Sequence, residues 1–222
     1  MQLKPGSFVA IVGSSGCGKS TLLRLLLGLE KPENGAVLYD GLELSQMDVS
    51  SVRRQLGVVL QHSRLQAGSI LSNIAGHMAL TMDEAWEVAK MVGLDADIRE
   101  LPMGMHTIVG EGGSTFSGGQ RQRLLIARAI AQRPRIIIFD EATSSLDNET
   151  QAIVAKTLAN LQCTRIVVAH RLSTIQEADR IIVLDRGEIA EEGTYSGLLE
   201  KRGLFRRLAD GQLSGDMSFE RM

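Results

Sequence analysis

The chain alternates short apolar runs with longer amphipathic stretches, a pattern typical of α/β proteins. Four apolar runs have the length of buried strands: 8–12, 57–60, 135–139 and 165–169. The stretch 149–161, between the last two runs, has a helical period, as expected of parallel strands joined by a crossover helix. We therefore predict an α/β core.

Turn residues predict antiparallel elements toward both ends of the chain. Asp40-Gly41 lies between apolar residues of 35–44, and this dipeptide is a strong signal for a β-hairpin. A second hairpin is predicted around 185–187, and the amphipathic stretch 195–209 is predicted to form one closing helix. The predicted sheet is therefore mixed, with antiparallel elements beside parallel strands.

The middle of the chain, from about 70 to 133, has helical periods. Thr81 and Glu84 have the spacing of a capping box and precede a run of apolar positions. We predict a helical subdomain inserted in the α/β core. The whole chain, 1–222, is predicted to be a single domain, because its length supports one sizeable core without requiring a second.

Composition and charge exclude several classes of protein. The formal net charge is -2, so the chain lacks the basic field of a nucleic-acid-binding protein and no nucleic-acid partner is predicted. Cys17 and Cys163 have no second cysteine or histidine at zinc-site spacing, and no signal-peptide pattern is present, which favours a reducing cytosol. The apolar runs are shorter than the roughly 18 residues of a spanning helix.

A glycine-rich loop follows the first predicted strand. It matches the phosphate-binding pattern G-x-x-x-x-G-K-[ST] and comprises Gly13, Ser14, Ser15, Gly16, Cys17, Gly18, Lys19, Ser20 and Thr21. Glycines let backbone N–H groups turn toward phosphates, and the next helix directs its N-terminal dipole at the same charge. Lys19 is predicted to bridge phosphates and Ser20 to bind Mg²⁺. An ordinary Gly/Ser turn is the alternative, but the position between strand and helix favours phosphate binding.

A pair of carboxylates ends the strand predicted at 135–139. Asp140 is predicted to hold Mg²⁺ through water, since ligands of open α/β sheets gather at the carboxyl ends of strands. Glu141 follows at once and is predicted to orient the attacking water in hydrolysis. His170 ends the next run and is a candidate contact to the γ-phosphate. Two surface acids and a structural histidine are the alternatives.

These features fit a kinase or a GTPase equally well, and a further motif distinguishes them. Phe116-Ser117-Gly118-Gly119-Gln120, ahead of a helical run, resembles the signature motif of ABC ATPases. This motif can act as a second phosphate clamp. Ser117 can cap the helix, while Gly118 and Gly119 expose N–H groups at the positive end of that helix.

Other motifs of the ABC family follow in the family's order. Gln61 resembles the Q-loop, Ser145-Leu146-Asp147 the D-loop and His170 the switch histidine. The resemblance implies an ABC ATPase with a P-loop NTPase core, ATP and Mg²⁺ as cofactors, and Glu141 and His170 as catalytic residues. The implied metal ligands are Ser20, Gln61 and Asp140. The implied ATP-binding residues are Gly13 to Thr21, Gln61, Ser117, Gly118, Gly119, Gln120 and Asp147.

The family resemblance also implies partners. Two cassettes pack head to tail in this family, so that ATP lies between the phosphate loop of one copy and the signature of the other. We therefore expect a symmetric homodimer with two competent sites, working with a transmembrane domain at the cytoplasmic face of the inner or plasma membrane.

Three segments resemble exporters: 109–113, 169–175 and 191–194. The first looks like the exporter X-loop, with Gly112 where an arginine is usual, which puts its coupling role in doubt. The segments 56–73 and 102–107 resemble the ATPase ends of bacterial peptide and bacteriocin exporters of the leader-peptide-processing (NHLM) type. Bacteriocin or peptide export is therefore the expected process, and no residue here specifies the cargo.

Two other classes of ABC protein fit the sequence less well. Soluble ABC ATPases of ribosomes or DNA resemble tandem cassettes or carry long coiled-coil insertions, whereas only about 55 residues separate Gln61 from Ser117. A regulatory module without turnover is disfavoured by the presence of both Glu141 and His170.

The resemblance also implies that the chain is N-terminally truncated. Exporter cassettes usually begin with antiparallel strands carrying an aromatic residue that stacks on adenine, and Met1 here already corresponds to the turn before the first strand. We expect ATP affinity about tenfold to a hundredfold weaker than in a complete cassette, since base stacking contributes on the order of 1–3 kcal/mol.

Overall fold

A computed structural model describes residues 1–113, 115–143, 145–169 and 171–213. The chain divides into two units. The first unit comprises Met1–Arg53 and the part of the chain from Thr164 onward, and the second unit comprises Arg54–Cys163.

The described parts of the chain contain both strands and helices. The strands are β1 (Phe8–Val12), β2 (Leu38–Tyr39), β3 (Leu42–Glu43), β4 (Leu56–Val59), β5 (Gly68–Ser69), β6 (Ile108–Val109), β7 (Ile136–Asp140), β8 (Thr164–Val168), β9 (Arg180–Asp185) and β10 (Glu188–Gly193). The α-helices are α1 (Lys19–Leu26), α2 (Val49–Arg53), α3 (Ile70–Ala75), α4 (Met82–Met91), α5 (Asp95–Glu100), α6 (Gly118–Ala131), α7 (Asn148–Asn160), α8 (Leu172–Ile175), α9 (Tyr195–Glu200) and α10 (Leu204–Leu213).

The first unit is built on β1, which lies between two parallel neighbours. Ala10 is in register with Val167 of β8 on one side and with Ile181 of β9 on the other. β10 then pairs antiparallel with β9, so the sheet is mixed as predicted. All five residues of β1 are buried, because a central parallel strand is covered on both faces. That burial explains the unbroken apolar run in the sequence.

The two predicted hairpins are confirmed. β2 and β3 pair antiparallel, and their connection has positive φ at both Asp40 (51°) and Gly41 (82°), as a type I′ turn requires. The Tyr39 hydroxyl donates to the Leu26 carbonyl at 2.8 Å, and burial raises the pKa of Tyr39 to about 12. This aromatic residue therefore anchors the hairpin to α1.

The single closing helix predicted for 195–209 is wrong. The structure has two helices there, α9 and α10, and Arg202 between them has a φ of 53°. A residue in the left-handed region ends an α-helix. The rings of Tyr195 and Phe205 pack edge to face with 5.6 Å between their centroids, so the apolar faces of both helices still meet.

The second unit contains the predicted helices together with a short parallel strand pair. β4 pairs with β7, with Leu56 opposite Ile136. α6 packs against β4, α3 and α4. A Cβ atom at Gly57 would lie 2.5 Å from the Ala129 carbonyl oxygen, so only glycine allows this approach of strand and helix.

The capping box predicted at Thr81 is confirmed at the start of α4. The Glu84 carboxylate accepts from the Thr81 N–H at 2.9 Å, and the Thr81 hydroxyl accepts from the Glu84 N–H at 3.3 Å.

The sequence did not predict the strands β5 and β6, which pair antiparallel within this unit. The single-domain assignment with an insertion at about 70–133 stays a prediction. Across the described parts of the chain, no helix combines the length and the apolar character needed to cross a bilayer.

Candidate functional site

The phosphate loop of the first unit connects β1 to α1, as predicted. Gly18 occupies the N-cap of α1 with a φ of 105°, and Gly16 has a φ of 76°. These angles lie in the left-handed region, which glycine reaches at little cost. Ser20 and Thr21 are exposed in the first turn of α1, so the helix presents two hydroxyls and its positive dipole end there.

Lys19 holds the loop in a closed arc. Its side chain is only 8% exposed, and Nζ donates to the Gly13 carbonyl at 2.9 Å and the Ser14 carbonyl at 2.8 Å. The Cys17 carbonyl accepts from the Gly187 N–H at 3.0 Å, which ties the loop to the turn between β9 and β10. The loop is thus an ordered cradle with a buried cation on its inner side, as phosphate binding requires.

In the second unit, several predicted site residues share one open cavity of about 700 Å³. Gln61, Gly118, Asp140 and Glu141 all line it. Asp140 is the last residue of β7 and is 6% exposed, whereas Glu141 is half-buried just beyond the strand. The cavity therefore brings the predicted Q-loop, carboxylate pair and part of the predicted signature together.

The predicted signature forms the N-terminus of α6. Ser117 is the N-cap: its hydroxyl accepts from the Gln120 N–H at 3.1 Å, and Gln120 Oε1 accepts from the Ser117 N–H at 3.0 Å. This reciprocal capping box confirms the predicted capping role of Ser117. Gly119 follows Gly118 in the first turn, and both glycines are half-buried.

An acidic residue that the sequence did not predict supports the signature. Asp97 of α5 accepts from Gln120 Nε2 at 2.7 Å and from the Arg123 guanidinium at 2.9 Å. Arg123 also donates to the Gly93 carbonyl. No single-sequence signal identifies Asp97, because it lies 23 residues away from Gln120 and only the fold brings the two together.

Gln122 is a further missed residue, and it lines the cavity together with Ser145 of the predicted D-loop. Gln122 follows Gly118 by one helical turn, so the (i, i+4) spacing places it on the same face of α6. That spacing is the signal that would have found it.

The predicted roles of the site residues in ATP binding and catalysis all stay predictions, including those of Asp147 and His170. Asp147 is the N-cap of α7, and hydrogen bonds from the backbone N–H and the hydroxyl of Thr150 lower the pKa of its carboxyl group. It therefore has a structural role, and its predicted contact with ATP stays a prediction. His170 lies outside the described residues, so its predicted role as a catalytic residue also stays a prediction.

The donor set suits a nucleotide that carries its own metal ion. Mg²⁺ in phosphate-binding sites keeps water and phosphate ligands and takes only one or two protein oxygens. Ser20 offers a hydroxyl in the first unit and Asp140 a carboxylate in the second, and the part of the chain described here holds no group of three or more His, Cys, Asp or Glu side chains that could bind a metal ion. The phosphate loop, with its buried lysine, fits the phosphates themselves.

Comparison with protein families and curated proteins agrees with this geometry. The model of the ABC transporter family matches residues 1–144. The chain is 48% identical to the alpha-hemolysin translocation ATP-binding protein HlyB of Escherichia coli O157:H7 over 91% of its length. It is 49% identical to the exotoxin translocation ATP-binding protein PaxB of Pasteurella aerogenes over 92%, and 47% identical to the leukotoxin translocation ATP-binding protein LktB of Mannheimia glucosida over 96%.

The similarity extends to solved structures. A structure described as a bacterial Atm1-family ABC exporter with ATP bound matches 94% of this chain with a TM-score of 0.91 and 42% identity, so the predicted P-loop NTPase fold of ABC ATPases is confirmed. The chain covers 37% of that structure's chain and 29 to 31% of the length of the three curated relatives.

Proposed function

This chain belongs to the ABC transporter family as an exporter-type ATP-binding domain, and on that premise we propose that it hydrolyses ATP to drive the export of a polypeptide. The observation that carries the proposal is the convergence of Gln61, Asp140 and Glu141 on one cavity, because a purely regulatory nucleotide-binding module has no need of a water-orienting carboxylate.

Each unit contributes its own part of the chemistry. Lys19 would hold the phosphates, with the N–H groups of the loop around it, and Ser20 and Asp140 would hold Mg²⁺, with Gln61 as a further ligand. Mg-ATP supplies the γ-phosphoryl group with its charge partly neutralised. Glu141 would accept a hydrogen bond from the attacking water and orient it, with His170 as a second candidate.

The signature and the phosphate loop are proposed to act in trans. Ser117, Gly118 and Gly119 present an ordered, capped helix end that suits a phosphate. In a head-to-tail homodimer this end would meet the ATP bound by the other copy, and each ATP would then contact both chains. The dimer therefore needs both copies for either site.

Mixing two inactive variants tests the trans arrangement. S117R and K19A are each expected to lack hydrolysis, whereas a mixed dimer keeps one site with an intact loop and an intact signature. An equimolar mixture should recover about a quarter of wild-type activity, because half of the dimers are mixed and each has one good site. The measurement is phosphate release against chain concentration.

The matched control mixes S117R with the double variant S117R/K19A, which leaves no intact site and should recover nothing. If the first mixture is no more active than its parents, ATP is not shared between copies as proposed.

The proposed cargo is a polypeptide, and the proposed partner is a transmembrane domain at the cytoplasmic face of the inner or plasma membrane. The named relatives translocate protein toxins, according to their names, while segments 56–73 and 102–107 resemble peptide and bacteriocin exporters. Both resemblances share a polypeptide as cargo class, and bacteriocin export is the narrower form of the proposal.

A chimera tests this coupling. We expect partial toxin secretion when this chain replaces the matching segment of the alpha-hemolysin translocation protein, because 48% identity preserves most contacts of the segment. The E141Q version of the same chimera is the control and should secrete none. Secretion by neither version, with both present in the membrane and the first hydrolysing ATP, would contradict a role in polypeptide export.

A further inference from the structure

The backbone of Glu141 has an unusual conformation. Its φ is 55°, which lies in the left-handed region that residues with a side chain seldom occupy. Such a residue keeps its geometry only where its neighbours hold it. Because the direction of the carboxylate depends on this backbone, whatever fixes the peptide at Glu141 also aims the side chain.

The Gln122 side chain of α6 contacts this peptide. Gln122 Nε2 donates to the Glu141 carbonyl at 3.2 Å, and Gln122 Oε1 accepts from the Ser145 N–H at 3.1 Å and from the Ser145 hydroxyl. The two partners determine the orientation of the amide, since a carbonyl needs a donor and an N–H needs an acceptor. Gln122 thus joins the peptide of Glu141 to Ser145.

The position of Gln122 connects this bridge to the signature. The residue lies one turn after Gly118, whose carbonyl oxygen is 3.4 Å from the Ser145 hydroxyl oxygen. Gln122 is half-buried on a helix of 14 residues whose N-terminus Ser117 caps. A side chain on a packed helix holds a partner more accurately than one on a loop.

We propose that Gln122 is a positioning residue for hydrolysis, whose amide holds Glu141 in its left-handed conformation and so couples the aim of that carboxylate to the first turns of the signature helix. The inference rests on the proposed role of Glu141. It assigns Gln122 no contact with ATP, so its loss should affect turnover and leave nucleotide binding unchanged.

Two variants test the two halves of the bridge. Q122E keeps an acceptor for Ser145 but places an oxygen against the Glu141 carbonyl, and Q122L removes both bonds with little change in volume. We expect kcat to fall about tenfold or more in both, since small displacements of a catalytic group are costly. The Kd for a fluorescent ATP analogue should stay within about twofold of wild type, as for a group that acts only on the chemical step.

The control is Q132L, at the C-cap of the same helix, which should hydrolyse ATP like wild type. Unchanged kcat in Q122E would overturn the proposal. So would a fall in Tm and in ATP affinity that accompanies the loss of turnover, because Gln122 would then only support the fold.

A double-mutant cycle separates this inference from the proposed function. If Gln122 acts through Glu141, adding Q122L to E141Q should leave the residual single-turnover rate unchanged within about twofold. An additional tenfold loss in the double variant would show that Gln122 acts elsewhere. Wild-type turnover by E141Q alone would instead refute the assignment of Glu141, and with it the route by which Gln122 acts.

Discussion

E141Q is expected to abolish ATP turnover while Mg-ATP binding stays close to that of the wild-type chain. Glutamine has the shape of glutamate but is neutral, so it cannot stabilise the positive charge that develops on the attacking water. A fall of about a thousandfold in kcat is therefore expected. The phosphate loop lies elsewhere in the chain and keeps all its contacts. Two measurements are required: phosphate release, and ATP affinity by fluorescence titration.

The same variant should also accumulate as an ATP-bound dimer, because hydrolysis would no longer release the two copies. Gel filtration with and without ATP measures this. E111Q is the matched control, since Glu111 lines the same cavity but belongs to the short turn 111–113 and not to the carboxylate pair at the end of β7. Equal losses in E141Q and E111Q would mean that the cavity's general charge matters and that Glu141 has no special role.

G13A is expected to destabilise the chain and to disable the phosphate loop. A Cβ atom at Gly13 would overlap the Leu184 carbonyl oxygen and lie 2.6 Å from Cys17 Sγ. Because β9 cannot retreat without breaking its pairing with β1, the loop backbone must move, at a cost of about 3 kcal/mol. The Gly13 carbonyl would then lose its bond from Lys19. Thermal unfolding and ATP titration should both show the effect, with affinity at least about tenfold weaker.

G6A is the control because Gly6 lies just before β1, as Gly13 lies just after it. Gly6 also has a positive φ, 76°, yet a Cβ atom there would have no neighbour within 4 Å. Only the left-handed strain applies, and the expected cost is about 1 kcal/mol with normal ATP binding. Similar losses in the two variants would mean that backbone strain, and not the overlap with Leu184, explains the requirement for glycine at 13.

Elements defined by local chemistry could be predicted from the sequence. The strand β1 and the glycine loop after it were predictable, since a buried parallel strand is apolar throughout and a phosphate loop needs glycines at set positions. The capping boxes at Thr81 and Ser117 were visible for the same reason, because residues three apart satisfy each other's backbone. Two acids at the end of a strand also predicted Mg²⁺ binding by Asp140 and orientation of the attacking water by Glu141.

Only the tertiary structure decided which side chains support these groups. Asp97 meets Gln120 and Arg123 across two helices, and Gln122 meets the peptide of Glu141 beyond the end of β7, at separations along the chain that no periodic pattern encodes. The break between α9 and α10 falls at Arg202, whose left-handed backbone is unusual for arginine, although Gly203 beside it is a residue that often ends a helix. Local hydrogen bonding and burial therefore determined the motifs, whereas packing between distant segments determined how those motifs are held in place.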